Sequence, residues 1–299
     1  MAIGDVFEIE SVPGCYYVDT GMYDTTGYGS VYIIDADRPA IVDSGLGTND
    51  DRILSALETV GIDPTDLEVI AATHVHLDHA GGAGSLSAET GADVYVHESG
   101  AGFLREPGPL WEGTKSAVGS QIQYYTEPEP VDPDRLVELE EGDVVDLGST
   151  TLETHHAPGH AFHQVIFYDP DADVVFCGDA AGLWAPGLDR VAPTSPPPGF
   201  DLEKAVADVE MIQDLEPETL CYGHFGAVPT GDKLATIAEA LPEWVDRIES
   251  KRAELDSDEA VIEFFVEETD LDEAWGEQRA AGQVDLDVRG VLTYLDGRN

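Results

Sequence analysis

The stretch Ala72–Ala80, ATHVHLDHA, places His74, His76, Asp78 and His79 within six positions. Imidazole nitrogen combined with carboxylate oxygen suits zinc, iron or manganese, whereas calcium and magnesium sites are built from oxygen. Positions i and i+2 point to the same side of an extended chain and a helix would pair i with i+4, so His74 and His76 belong on a strand end or a loop. The apolar run LEVIAAT (67–73) reads as the buried strand that delivers them. Ala80-Gly81-Gly82 then lets the chain turn tightly.

Three further segments repeat this chemistry at strand ends. HHAPGHAFH (155–163) puts His160 after Pro158-Gly159, FCGDAAG (176–182) puts Asp179 at the close of an apolar run, and CYGHFG (221–226) does the same for His224. By spacing alone His156 competes with His160 for a ligand position, and His155 and His163 stand nearby. His163 reads as a hydrogen-bond partner of substrate or of a ligand-orienting carboxylate, or else as a satisfied structural histidine. His97 reads as structural. In AIVDSG (40–45), Asp43 stands at a strand end, where a carboxylate orients a metal-binding histidine from behind or caps a solvated turn.

At 299 residues with 42% hydrophobic content the chain has enough material for a full core, as one α/β domain with an appendage rather than two equal domains. Its charge is unusual: 61 Asp and Glu against 14 Lys and Arg give a net charge of −47. The acid is spread along the chain with no acidic terminal run. At low ionic strength such a surface opposes the compact state by self-repulsion, and at molar salt the screening length falls to roughly 3 Å and the penalty fades. The expectation is a cytoplasmic protein of an extreme halophile, with an acidic face for a basic partner as the rival explanation. Cys15, Cys177 and Cys221 are odd in number and far apart, so they read as reduced packing thiols and not as a disulfide framework. MAIGDVFEIE lacks the basic start and apolar run of a secretory signal. No segment reaches the roughly 20 apolar residues of a bilayer span, so no membrane partner is expected.

VFEIE (6–10), CYYVDT (15–20), SVYIID (30–35) and AIVDS (40–44), separated by Gly, Pro and Asp turns, predict an antiparallel meander. An amphipathic helix follows over 48–61, then the ligand strand, a short helix near 84–90 and the strand DVYVHE (93–98). Residues 100–135 break this regularity with several Gly and Pro among Phe103, Trp111, Tyr124 and Tyr125, and read as an irregular lid that gives the site an apolar wall, with a dimer contact as the rival. Strands return at 135–139, 144–148, 150–156, 164–169 and 173–178. A Pro-rich loop (185–200) precedes a helix over 201–215 with an aspartate cap, and ETLCYG (218–223) leads to His224. From 231 onward the chain reads as helical, which divides it into a catalytic domain over 1–230 and a helical extension over 231–299 that packs on the body or forms a homodimer contact.

These motifs, in order from about residue 15 to 230, resemble the metallo-β-lactamase superfamily. The resemblance implies a four-layer αββα sandwich of the α/β (α+β) class with a metal site along one edge of its two sheets. It also implies two Zn²⁺ ions, with iron or manganese as alternatives: His74, His76 and His160 hold one, Asp78, His79 and His224 the other, and Asp179 bridges. The count agrees independently, since a catalytic ion takes about three protein ligands and keeps a position open, so seven candidates suit two ions sharing a carboxylate. Two such ions lower the pKa of a shared water to about 7, and Asp78 and Asp179 would hold and orient the resulting hydroxide.

The implied activity is hydrolysis of a small-molecule thioester, lactone or ester. THVHLDHAGG and PGHA look most like the glyoxalase II-type branch, although the basic, tyrosine-bearing glutathione segment of that branch has no evident counterpart. Acyl-homoserine lactonases carry a tyrosine three residues after the bridging Asp, where this chain has Gly182. The alternative is a phosphodiesterase or ribonuclease related to the transfer-RNA 3′ processing endonucleases, which makes nucleic acid the second-ranked partner. A diiron oxygen-reducing protein would have Glu in place of His76, and true β-lactamases are exported. A purely structural metal would close all four positions on one ion. If the acidic surface is an adaptation to salt, the melting temperature will climb with KCl into the molar range. Equal stability in dilute buffer, followed by thermal unfolding, would refute it.

Overall fold

The computed structural model describes residues 1–298. β1 (Val6–Glu8), β2 (Cys15–Asp19), β3 (Ser30–Ile34) and β4 (Ala40–Val42) form the expected antiparallel meander. Pairing then turns parallel, because helices carry the chain back between strands. α1 (Asp50–Val60) leads to β5 (Val69–Ala71), while α2 (Leu77–Ala80) and α3 (Ala83–Thr90) lead to β6 (Asp93–His97). α4 (Glu98–Arg105) and α5 (Gly108–Val118) precede β7 (Leu136–Leu139), which completes a seven-stranded sheet in sequential order.

The second sheet starts with antiparallel hairpins of β8 (Val144–Asp146), β9 (Thr151–His156), β10 (Val165–Asp169) and β11 (Val174–Gly178). A small hairpin, β12 (Leu183–Ala185) and β13 (Arg190–Ala192), precedes α6 (Leu202–Asp214). β14 (Thr219–Tyr222) then pairs parallel with β11, and β15 (Gly226–Pro229) closes the edge of this six-stranded sheet. α7 (Lys233–Glu254), α8 (Asp258–Glu268), α9 (Asp272–Trp275) and α10 (Glu277–Gly297) follow.

Period-two alternation decides the stacking. Tyr32, Val42, Val69, Ala71, Phe167, Val174 and Phe176 face a core between the two sheets. Their neighbours Ile33, Ile41, Ile70, Val94 and Val96 face outward onto Ile53, Leu57, Leu86 and Leu104 of the helices. On the other side Ile166, Val175, Cys177 and Leu220 pack against Val209, Ile212, Ile237 and the helices beyond. The result is the αββα order of layers.

Residues 100–135 depart from the irregular reading: 98–105 and 108–118 are helical, and a 3-10 turn follows over Gly119–Tyr124. Pro109 sits in the first turn of α5, where a missing N–H costs nothing. Gly100 lets α4 lie against Val75 and His163, where a Cβ would crowd both. Strand β13 lies in the Pro-rich segment expected to be a loop, and β12 and β15 lie mainly in stretches for which the sequence predicts no element, because runs of three and four residues carry too little periodicity to register. Among the described residues no helix is long and apolar enough to cross a membrane.

The last helices share one apolar cluster with α6 and the second sheet. α10 is pinned to the loop after β13 by Asp287, which accepts from Ser195 N at 2.7 Å and Thr194 Oγ1 at 3.3 Å. Gly290 crosses the same loop so closely that a Cβ would overlap the Ser195 carbonyl. Gly290→Ala should therefore cost about 1–3 kcal/mol through overpacking, read as a lower melting temperature in molar KCl. An unchanged melting temperature would contradict this docking.

Candidate metal centre

All the candidate side chains emerge where strands of the two sheets end side by side. Past β4, Asp43 adopts a left-handed backbone (φ 64°) and turns inward. Its Oδ1 accepts from Thr73 N at 2.8 Å and Thr73 Oγ1 at 2.9 Å, and its Oδ2 lies 2.9 Å from His79 Nδ1. Asp43 is buried, so of the two readings of this residue the geometry selects the orienting one and not the solvated turn. Val165 N donates to Thr73 O at 2.8 Å, which ties the second sheet to the same loop. His74 and His76 then extend past β5, and α2 carries Asp78 and His79.

His74, His76 and His160 bring one donor atom each within 4.8 Å of one another, as do Asp78, His79 and His224. Asp179, with His74 and His79, forms a third such group between them. His76 Nδ1 faces His160 Nε2 at 3.1 Å, and His79 Nε2 faces His224 Nε2 at the same separation. The outer nitrogens are already engaged: His79 Nδ1 with Asp43, and His224 Nδ1 with Tyr28 O at 3.1 Å. A proton on those outer nitrogens leaves inward lone pairs, which is the tautomer a metal ligand needs. His74 Nε2 and Asp179 Oδ1 are buried with no hydrogen-bond partner among the described residues. Orphaned inward donor atoms and closely confronted ring nitrogens fit a metal-binding site, and unpaired they are costly to bury.

Electrostatics agree for four of the five clustered rings. Burial, reinforced by neighbouring imidazoles, holds His74 and His160 far below the usual histidine range. Burial brings His76 down to about 4 and, with His79 beside it, His224 down to about 3. These rings are neutral at neutral pH, the form a metal ligand requires. Burial opposes charge on His79 too, but Asp179, Asp43 and Asp78 outweigh it and push that ring up to about 10. Burial raises Asp179 to about 7 against the pull of His79. Asp78 falls below its usual value because His79, His224 and His76 overcome its burial. The close approach of His79 to the strand end depends on Gly223, whose Cβ would stand 2.5 Å from His79 Cε1.

The remaining histidines stay outside the cluster. His163 is buried beside it and its Nδ1 accepts from Val75 N at 3.4 Å, so it braces the backbone between His74 and His76 while also lining the cavity. His156, the spacing rival of His160, points its Nε2 at Phe162 O (2.9 Å) and stacks on His97, whose Nδ1 pairs with Ser99 Oγ at 2.7 Å. His155 lies between Glu141 and Glu153. The three cysteines are free and buried, and burial raises each thiol, consistent with packing.

A cavity of about 260 Å³ opens over the cluster. Phe103, Leu110, Ala117 and Val118 form one wall, the apolar contribution expected of residues 100–135. Tyr23 donates to Asp78 Oδ2 at 3.3 Å and is hydrogen-bonded through its hydroxyl to Tyr125. Arg279 and Gln283 of α10 complete the lining. Sequence reasoning missed Tyr23, Arg279 and Gln283. None lies in a motif, and only the return of α10 across the site brings the last two there.

A model described as the metallo-beta-lactamase superfamily matches residues 24–224. The acyl-coenzyme A thioesterase MBLAC2 of Gallus gallus is 28% identical over 181 residues, 56% of this chain and 62% of that protein. The chain thus matches less than two thirds of that relative's length. The metallo-beta-lactamase fold-containing protein ST1585 of Sulfurisphaera tokodaii is 27% identical over 221 residues, 72% of this chain and 79% of the relative. The crystal structure of ST1585 superposes with a TM-score of 0.70 at 23% identity, covering 93% of this chain and 98% of its own. The family protein TTHA1429 of Thermus thermophilus superposes with a TM-score of 0.68 at 22% identity, covering 96% and 94%. Motifs, layer order and these matches agree: the chain belongs to the metallo-beta-lactamase superfamily.

Proposed function

We propose that the protein is a dinuclear metal-dependent hydrolase of a thioester, lactone or ester. His74, His76 and His160 would hold one cation, Asp78, His79 and His224 the other, and Asp179 would bridge them. The observation that carries this reading is the position of Asp179. Its Oδ2 lies 3.4 Å from His160 Nε2, while its Oδ1 lies 3.5 Å from His79 Nε2 and 3.7 Å from His224 Nε2. Zinc suits this nitrogen-rich set, with iron or manganese as alternatives.

Cations bound there supply Lewis acidity and a water that ionises near neutral pH. The chain's own groups do the rest. Asp78 and Asp179 turn carboxylate oxygens into the space between the two ligand sets and orient the attacking water. Asp43 keeps His79 in one tautomer. Tyr23 holds Asp78 through its hydroxyl, and the apolar wall excludes bulk water, which strengthens every charge interaction inside. A small apolar cavity favours an acyl group as the substrate's body, and the relative named as an acyl-coenzyme A thioesterase supports a thioester. Phe103, Leu110 and Val118 offer a polynucleotide no phosphate track, which ranks the ribonuclease reading second.

Dialysis against a strong chelator should abolish hydrolysis, and metal analysis of the restored enzyme should return two ions per chain. Activity that survives chelation overturns the proposal. In high salt, S-lactoylglutathione, short-chain thioesters and lactones compared with a phosphodiester and a precursor transfer RNA should favour the acyl substrates by roughly 100-fold or more in kcat/KM. Asp43→Asn keeps a residue that tolerates the left-handed backbone but removes the charge behind His79. It should weaken metal binding by roughly 10- to 100-fold in a chelator competition.

A further inference from the structure

We infer that Arg279 is the anion-recognising residue of this site and that the substrate carries a negatively charged oxygen group close to the bond cleaved. The inference rests on the hydrolase reading above and names its substrate class. Of the ten arginines, eight hold an Asp or Glu carboxylate at the surface. Arg279, which is 6% exposed, has no carboxylate within ion-pair distance among the described residues. Arg52, only partly buried, is the other arginine without a carboxylate partner among the described residues and bonds Thr20 O and Asn49 Oδ1, so in a chain with 61 acidic residues the most buried guanidinium is one of the two left without a counter-charge.

Its neighbours position the group without neutralising it. Nη1 donates to Gln121 Oε1 and Nη2 to Gln283 Oε1, so both side chains that fix the guanidinium are amides and not carboxylates. Tyr23 and Tyr28 lie with ring centroids 4.3 and 4.8 Å from its Cζ and offset part of the cost through their π faces. The nearest carboxylates reach it through intermediaries: Asp287 through Gln283, and Asp78 through Tyr23. Nε is buried and has no hydrogen-bond partner among the described residues. A guanidinium offers five N–H groups in one plane, and here the second protons of Nη1 and Nη2 remain for an oxygen acceptor arriving in the cavity it lines. Leu110, Ala117 and Val118 of α5 make part of the same lining apolar, so the matching ligand is amphipathic, with a hydrocarbon body against α5 and an oxyanion at Arg279. That charge can sit on the acyl part or on the departing thiol or alcohol part, and the chemistry at Arg279 is the same.

The test uses the zinc-loaded protein in molar KCl and three thioesters. Butanoyl-N-acetylcysteamine is neutral, glutaryl-N-acetylcysteamine is charged on the acyl side, and butanoyl-3-mercaptopropanoate is charged on the thiol side. One charged ester should exceed the neutral one by roughly 10- to 100-fold in kcat/KM, mainly through KM, and its identity tells which part carries the charge. Arg279→Met should collapse that ratio to near one, and Arg279→Lys should retain part of it. Equal kcat/KM for all three esters in the wild type, or an unaltered ratio in Arg279→Met, overturns the inference. If Arg279→Met does not fold, the wild-type ratio decides alone. If none of the esters is cleaved, the thioester reading fails separately, and calorimetric titration with pentanesulfonate, a poor metal ligand, judges the anion site. Binding roughly tenfold weaker in Arg279→Lys or Arg279→Met than in the wild type sustains the inference. Equal binding, or none to the wild type, overturns it.

Discussion

Two pairs of buried imidazole nitrogens confront each other at 3.1 Å, His76 with His160 and His79 with His224. Lone pairs held that close in a dry environment repel unless a proton or a cation lies between them. Burial has already disfavoured the proton at His74, His76, His160 and His224, while the carboxylates around His79 favour one on that ring. The fold holds the His79–His224 pair through bonds on the far side of the rings, from Asp43 and from the Tyr28 carbonyl. Much of the surrounding architecture can be understood as the scaffold that keeps four rings in an otherwise unfavourable arrangement.

The scaffold works because strands of both sheets end at one edge. β4 delivers Asp43, β5 leads to His74, β11 to Asp179 and β14 to His224, with the β9–β10 loop adding His160. Parallel pairing of β4 with β5 and of β11 with β14 aligns those ends. Backbone bonds such as Val165 N to Thr73 O and Ser30 N to Gly223 O lock one sheet to the other where alignment matters. Residues on rigid strand ends hold a ligand geometry more closely than residues on free loops can.

Around this inward-facing, cation-seeking centre, the exterior is strongly anionic and the exposed arginines are largely consumed by surface carboxylates. In high salt, exposed pairs of this kind contribute little. A buried charge is screened far less, which is why one guanidinium set against tyrosine rings at the cavity can matter more than the rest of the surface.

The metal-type cluster was legible because its residues are chemically rare and locally concentrated: ATHVHLDHA, the Pro-Gly-His at 158–160 and the strand-ending Asp179 and His224 each announce themselves. Strands buried on alternate faces were legible for the same reason, since periodicity is a local property. The helices within 100–135 were obscured by Gly and Pro that only their packing explains, as at Gly100 against Val75. The cavity's polar side was hidden altogether. Tyr23 stands about 50 positions before the metal motif and Arg279 about 200 after it, and neither carries any local mark. What the sequence by itself determined is the donor chemistry and the layer pattern, both written in short-range spacing. Which histidines converge, which aspartate stands behind them and which arginine looks onto them were decided by the tertiary structure. Those choices depend on where distant strand ends and the final helix meet, a long-range packing outcome that no local spacing encodes.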